Sequence, residues 1–177
     1  MRAVFVALLI SCVAAGDAMA DGDEAAMATT ANGFYAVYET FHPSDGVPSA
    51  ADRAKYAPFL SPALEKLLSD ADAAEMRFAK ANKDSPPLIE GDLFSSMFEG
   101  ATSVQVAACS GDGKTGHCTV KLEYANPGDK PINWTDTIYL VKAEHGWRVD
   151  DIAYGGSWAF GNKGRLSETL KQTIGFQ

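Results

Sequence analysis

The residues of this chain best suited to chemistry are a few tyrosines and carboxylates. Tyr35 and Tyr38 sit beside Phe34 in a helical pattern, where core packing is the common use of such rings and a hydroxyl lining a pocket is the sharper one. Asp92 lies in Leu88-Ile89-Glu90-Gly91-Asp92-Leu93-Phe94, two carboxylates among apolar neighbours. A carboxylate held in apolar surroundings has a raised pKa and can serve as an acid or base. The plainer expectation is that Gly91-Asp92 turns the chain and Asp92 caps the next segment. Asp150 and Asp151 are adjacent in Gly146-Trp147-Arg148-Val149-Asp150-Asp151-Ile152. Strand alternation puts Trp147, Val149 and Asp151 on one face and Arg148, Asp150 and Ile152 on the other, so one aspartate points coreward and needs a partner or a proton. Trp158, in the glycine-flanked run Gly155–Gly161, is placed to shape a pocket mouth or to pack on the sheet. The candidate cavity residues are therefore Tyr35, Tyr38, Asp92, Asp151 and Trp158; no catalytic role is assigned to any of them.

Other chemistries lack their parts. Nucleophilic catalysis needs a base beside the nucleophile. His42 precedes Pro43 at a helix end, His117 is expected in the turn before Cys118, and His145 in the turn before Gly146. No His, Cys and carboxylate set has zinc spacing, and no glycine-rich loop joins a strand to a helix, so neither metal nor cofactor is expected. Asp70, Asp72 and Glu75 read as a solvated helix face rather than a metal cluster. The net charge of −8 and the lack of a basic stripe argue against nucleic acid as a partner.

The elements that must position these residues are legible. Ser103–Cys109, Cys118–Tyr124, Trp134–Lys142 and Trp147–Tyr154 are strand-like runs joined by turn residues, the pattern of an antiparallel meander. Val120, Leu122 and Tyr124 alternate with polar residues, so one face of the sheet is buried. Upstream, Phe34, Val37, Tyr38 and Phe41 fall on one helical face from about Met27, and His42-Pro43 ends that helix. Ser49 caps a short helix, with Asp52 as a weak capping-box partner, and Ser61-Pro62 opens a third helix running to about Ala81 or breaking near Ser69-Asp70. Leu166, Leu170 and Ile174 mark a C-terminal helix. The fold class is α+β, with N-terminal helices packed on a curved antiparallel sheet and a C-terminal helix, in one domain over residues 21–177.

The N-terminus has the composition of a leader. Val4–Val13 is apolar but shorter than the ~20 residues a spanning helix needs. Ala18-Met19-Ala20 offers small residues for cleavage, giving a signal peptide over residues 1–20 and a periplasmic or secreted protein. The alternative is a lipoprotein anchored through Cys12 in Leu9-Ile10-Ser11-Cys12, the only membrane association expected. Export in turn implies an oxidised Cys109–Cys118 pair, closing a loop worth about 2–3 kcal/mol. Cys109 has the opposite parity to Val104 and Val106, while Cys118 shares that of Val120. A bulge near Ala107-Ala108, or a bond in the loop beyond the ladder, would reconcile them.

Four stretches, in order, carry a resemblance: Phe34-Tyr35-x-x-Tyr38, Ser61-Pro62-x-Leu64, Gly91-Asp92-x-Phe94 and Gly146–Ile152. Together they resemble an uncharacterised group of exported bacterial proteins within the nuclear-transport-factor-two-like superfamily of cone-shaped folds. The resemblance implies helices packed inside a curved sheet. It fixes no function, because the superfamily holds isomerases, dehydratases, cyclases and non-catalytic modules. Three readings are open: a non-catalytic envelope protein binding a small molecule or an envelope protein through the open end of the cone; a small acid/base enzyme of isomerase or dehydratase type using Asp92, Asp151 and a tyrosine; or an accessory or inhibitor protein acting through its surface. A deep cavity with a buried carboxylate in hydrogen-bond reach of a tyrosine favours the second, and a cavity filled by side chains removes it and leaves surface binding.

Overall fold

The structure, a computed structural model, describes residues 17–40 and 46–176, with side chains from residue 22 onward. The apolar leader run, Cys12 and the His42-Pro43 helix stop lie outside those residues. The elements in chain order are helices α1 (Asp17–Thr40), α2 (Ala50–Tyr56) and α3 (Pro62–Ala81), strands β1 (Ser103–Gly111), β2 (Thr115–Tyr124), β3 (Ile132–Ala143) and β4 (Gly146–Ala153), and helix α4 (Leu166–Gly175). The strands form one antiparallel sheet in the order β1-β2-β3-β4, the expected meander.

Helix α1 begins at Asp17, ten residues before the start expected at Met27. Alanines at 18, 20, 25, 26 and 28 favour helix, and their small side chains give no apolar stripe from which to read it. Met27, Ala31, Phe34, Tyr35 and Tyr38 form its buried face. That face crosses the sheet against β1, β2 and β4. The caps of the next two helices agree with the sequence signals. Ser49 Oγ accepts from Asp52 N at 3.3 Å, and Ser61 Oγ accepts from Leu64 N at 3.0 Å with Pro62 in the first turn. Helix α3 runs unbroken past Ser69-Asp70 and packs on α4.

Two bulges set the faces of the sheet. In β1, Val106 pairs with Val120 and Cys109 with Cys118, so Ala107 and Ala108 together oppose the single residue Thr119. Of the two ways to resolve the parity conflict, the structure takes the bulge, and Cys109 and Cys118 are joined by a disulfide. In β4, Leu140 pairs with Val149 and Tyr139 with Asp151, so Asp150 is an extra residue. The bulge changes the expected parity: Trp147, Val149 and Ile152 are the buried apolar set, and Asp151 falls beside Tyr139 on the opposite face. His117 is likewise displaced from its expected turn. Strand β2 begins at Thr115, which puts His117 in the ladder opposite Tyr139.

Between α3 and β1 the chain has neither helix nor strand, yet every residue from Gly91 to Met97 is buried. Phe94 is at the centre of the core, with ring centroids 5.2 Å from Phe34 and 5.0 Å from Tyr56. This irregular segment, the plug, fills the space between α1 and the sheet.

Candidate functional site

A buried irregular segment must satisfy its backbone polar groups without a ladder. The plug does so with side chains drawn from all sides. At its start Gly91 has φ +75°, and a Cβ there would lie 2.6 Å from the Phe98 ring, so glycine is required. Asp92 N donates to Phe98 O at 2.8 Å and closes the segment on itself. Glu75 of α3 accepts from Leu88 N at 3.0 Å and Ile89 N at 2.8 Å, so this carboxylate anchors the approach rather than facing water. Of its sequence companions, Asp72 pairs with Arg53 at 2.8 Å and Asp70 with Lys66 at 2.7 Å.

Asp92 makes the local cap expected of it and also pairs with a tyrosine. Its Oδ1 accepts from Phe94 N at 3.0 Å, the local cap, and its Oδ2 accepts from Tyr38 Oη at 2.8 Å, the tyrosine–carboxylate pair. Tyr38 Oη in turn accepts from Ala101 N at 2.7 Å. A second buried carboxylate, Asp136 of β3, holds the other end. It accepts from Ser96 N at 2.8 Å, Gly155 N at 2.8 Å and Trp134 Nε1 at 3.2 Å, and from the Ser96 hydroxyl. All these donors to Asp136 are neutral. Asn162 donates to Asp92 O at 2.6 Å and Ser95 O at 2.7 Å, and Tyr154 Oη donates to Leu93 O at 2.8 Å. Asp92 and Asp136 are 2% and 1% exposed, so solvent does not reach the pair.

Burial, reinforced by the charges of Asp92 and Asp136, pushes the Tyr35 and Tyr154 hydroxyls well above the ordinary phenol range. Burial and then Asp92 do the same for Tyr38. The three phenols therefore stay protonated, and Tyr38 and Tyr154 use that proton to donate to Asp92 and to Leu93 O. Tyr35 Oη is buried and has no hydrogen-bond partner among the described residues.

Trp158 belongs to a different place, the open end where the plug emerges. Its ring lies edge-on to Trp134, centroids 5.2 Å apart at 88°. A Cβ at Gly156 would strike that ring and the Ser96 side chain, so the glycine admits the indole. Beside it is a groove of about 480 Å³ walled by Met97, Phe98, Ile132, Trp158 and Phe160, with Glu90 and Glu99 as its charged lining.

Asp151 lies on the outer face of the sheet, in a polar cleft of about 500 Å³ with His117, Tyr139 and Arg165. It accepts from Ser167 N at 3.0 Å and Ser167 Oγ at 2.9 Å, and pairs with Arg165 at 3.3 Å. Arg165 occupies the N-cap position of α4 and carries no acceptor, so the neighbouring strand supplies the capping carboxylate. The Arg165 guanidinium also lies 4.1 Å from the centroid of the Tyr139 ring. Asp150 is taken by the Ser61 hydroxyl at 2.6 Å.

Of the five sequence candidates, the structure brings Tyr35, Tyr38 and Asp92 together, sets Trp158 at the mouth, and places Asp151 on the other side of the sheet. Sequence reasoning missed Asp136, Ser96, Tyr154 and Asn162. Asp136 had a readable signal: it shares the parity of Trp134, Ile138 and Leu140, the buried face of β3. Asn162 had none. No family model, no curated protein and no solved structure matches this chain.

Proposed function

We propose that the protein is an exported, non-catalytic binding module that takes a small apolar molecule in the groove at the open end of the curved sheet. The observation that carries this reading is where the exposed large apolar side chains fall. Three of the five among the described residues, Phe98, Ile132 and Phe160, line that one groove, and Phe160 is 89% exposed. Concentrated apolar exposure of this kind marks a binding surface, and the volume suits a small molecule. The Cys109–Cys118 disulfide supports an oxidising compartment. The helices packed across a curved antiparallel sheet are what membership of the cone-fold superfamily would require.

The alternative, an acid/base enzyme, has its tyrosine–carboxylate pair in Tyr38 and Asp92. Both oxygens of Asp92 are already engaged, and the plug fills the space a substrate would need. The binding reading is tested by titrating the protein with the neutral apolar dye N-phenyl-1-naphthylamine. One dye per chain is expected to bind, and Phe160→Ser, at an exposed position with little effect on folding, is expected to weaken it at least tenfold. Dye binding unaffected by that substitution, or no binding at all, overturns the reading.

A further inference from the structure

The two glutamates of the groove narrow what it takes. Glu90 and Glu99 flank the plug on its two sides, next to Gly91 and to Gly100, whose φ values of +75° and +81° mark the turns there. The bond from Asp92 N to Phe98 O holds the two ends of the plug side by side, which brings both glutamates to one rim. Both are exposed, and neither has an ion pair or hydrogen bond among the described residues. They are the only charged side chains among the described residues lining the groove. Lys163, close in sequence, is turned to the Gly156 carbonyl at 3.1 Å, and Lys130 lies in the exposed β2–β3 turn.

The walls between the glutamates are aromatic: Phe98, Trp158 and Phe160. Aromatic faces attract cations through the ring quadrupole, and carboxylates at the rim add a longer-range attraction. A hard metal ion does not suit such a place, because calcium wants six or more oxygens and the walls here are carbon. A primary ammonium is strongly hydrated, whereas an alkylated one sheds water readily onto rings.

Resting on the groove reading above, we propose that the ligand is a small amphiphilic cation: an alkylated ammonium head held by Glu90, Glu99 and the aromatic walls, with an apolar body along Met97 and Ile132. Charge complementarity selects this class over neutral or anionic molecules of similar shape. The size of the groove selects it over a protein segment.

The test is displacement of the bound neutral dye by benzyltrimethylammonium and by neopentylbenzene, its uncharged isostere. The cation is expected to displace the dye at concentrations at least tenfold lower, with a preference that shrinks as salt is added. In the double variant Glu90→Gln, Glu99→Gln the ratio is expected to fall to about twofold or less, while Glu144→Gln, in the distant β3–β4 turn, keeps it. Equal displacement by the two compounds, or a preference untouched by the double variant, overturns the cationic ligand and leaves the groove reading standing. Absence of dye binding removes the groove reading itself. Displacement by an amphipathic Lys/Leu peptide but not by the small cation overturns the proposal in favour of a protein partner.

Discussion

Two carboxylates of this molecule, Asp136 inside the curve of the sheet and Asp151 outside it, show how differently the same side chain can be held. Asp136 is 1% exposed and is satisfied by two backbone amides, an indole and a hydroxyl. Asp151 is 8% exposed and is shared between a cation, a hydroxyl and the first turn of a helix. The first is fixed by neutral donors, two of them backbone amides of irregular segments that have no ladder to satisfy them. The second sits where water can replace a lost bond. Burial therefore turns one carboxylate into a fastener for a whole segment and leaves the other as a local cap. Asp92 resembles Asp136 in this respect, since its two oxygens accept from Phe94 N and Tyr38 Oη within the buried segment.

The comparison can be broken by substitution. Asp136→Ala is expected to have the largest effect, because it leaves several buried donors unpaired. Each orphan costs on the order of 1–3 kcal/mol, and a loss of about 3–5 kcal/mol in urea unfolding is expected. Asp151→Ala removes a cap and an ion pair whose arginine is part-exposed, and a loss of about 1 kcal/mol is expected by the same measurement. Equal losses for the two would end the distinction between fastener and cap. The smallest effect is expected at Tyr35→Phe. The Tyr35 hydroxyl is buried beside both interior carboxylates without a hydrogen bond, so removing it should leave stability within about 0.5 kcal/mol or raise it. A clear loss on Tyr35→Phe would mean that the hydroxyl has a partner, such as an internal water, and would sharpen the account of the interior.

Much of the fold is legible in the sequence because its signals are local. Ser49, Ser61 and Pro62 announce their helices, and the alternation in β2 announces its buried face. The parity of Cys109 against Cys118 announces either a bulge or a bond in the loop beyond the ladder, and the folded chain takes the bulge. The second bulge, at Asp150, is silent, because no cross-link there forces two residues to face each other; the alternation simply misassigns Asp151. The plug is half legible. Gly91-Asp92 reads as a turn, and Asp92 as a carboxylate in apolar company, but nothing local says that residues 91–97 are buried together. Asp136 can be found by taking its parity on β3 seriously.

The four helices and four strands of the described residues, and the pairing of Cys109 with Cys118, are written in the linear chain. They depend on residues close to one another in it, where periodicity, capping and turn preference act over a few bonds. Three features needed the folded chain: the clasp of Asp92 and Asp136 on one segment, the capping of a helix by Asp151, and the meeting of Phe98, Ile132, Trp158 and Phe160 in one groove. Those rest on contacts between residues tens of positions apart, such as Ser96 with Asp136 and Tyr38 with Asp92. They exist because packing fixes which distant polar groups must satisfy one another once water is excluded.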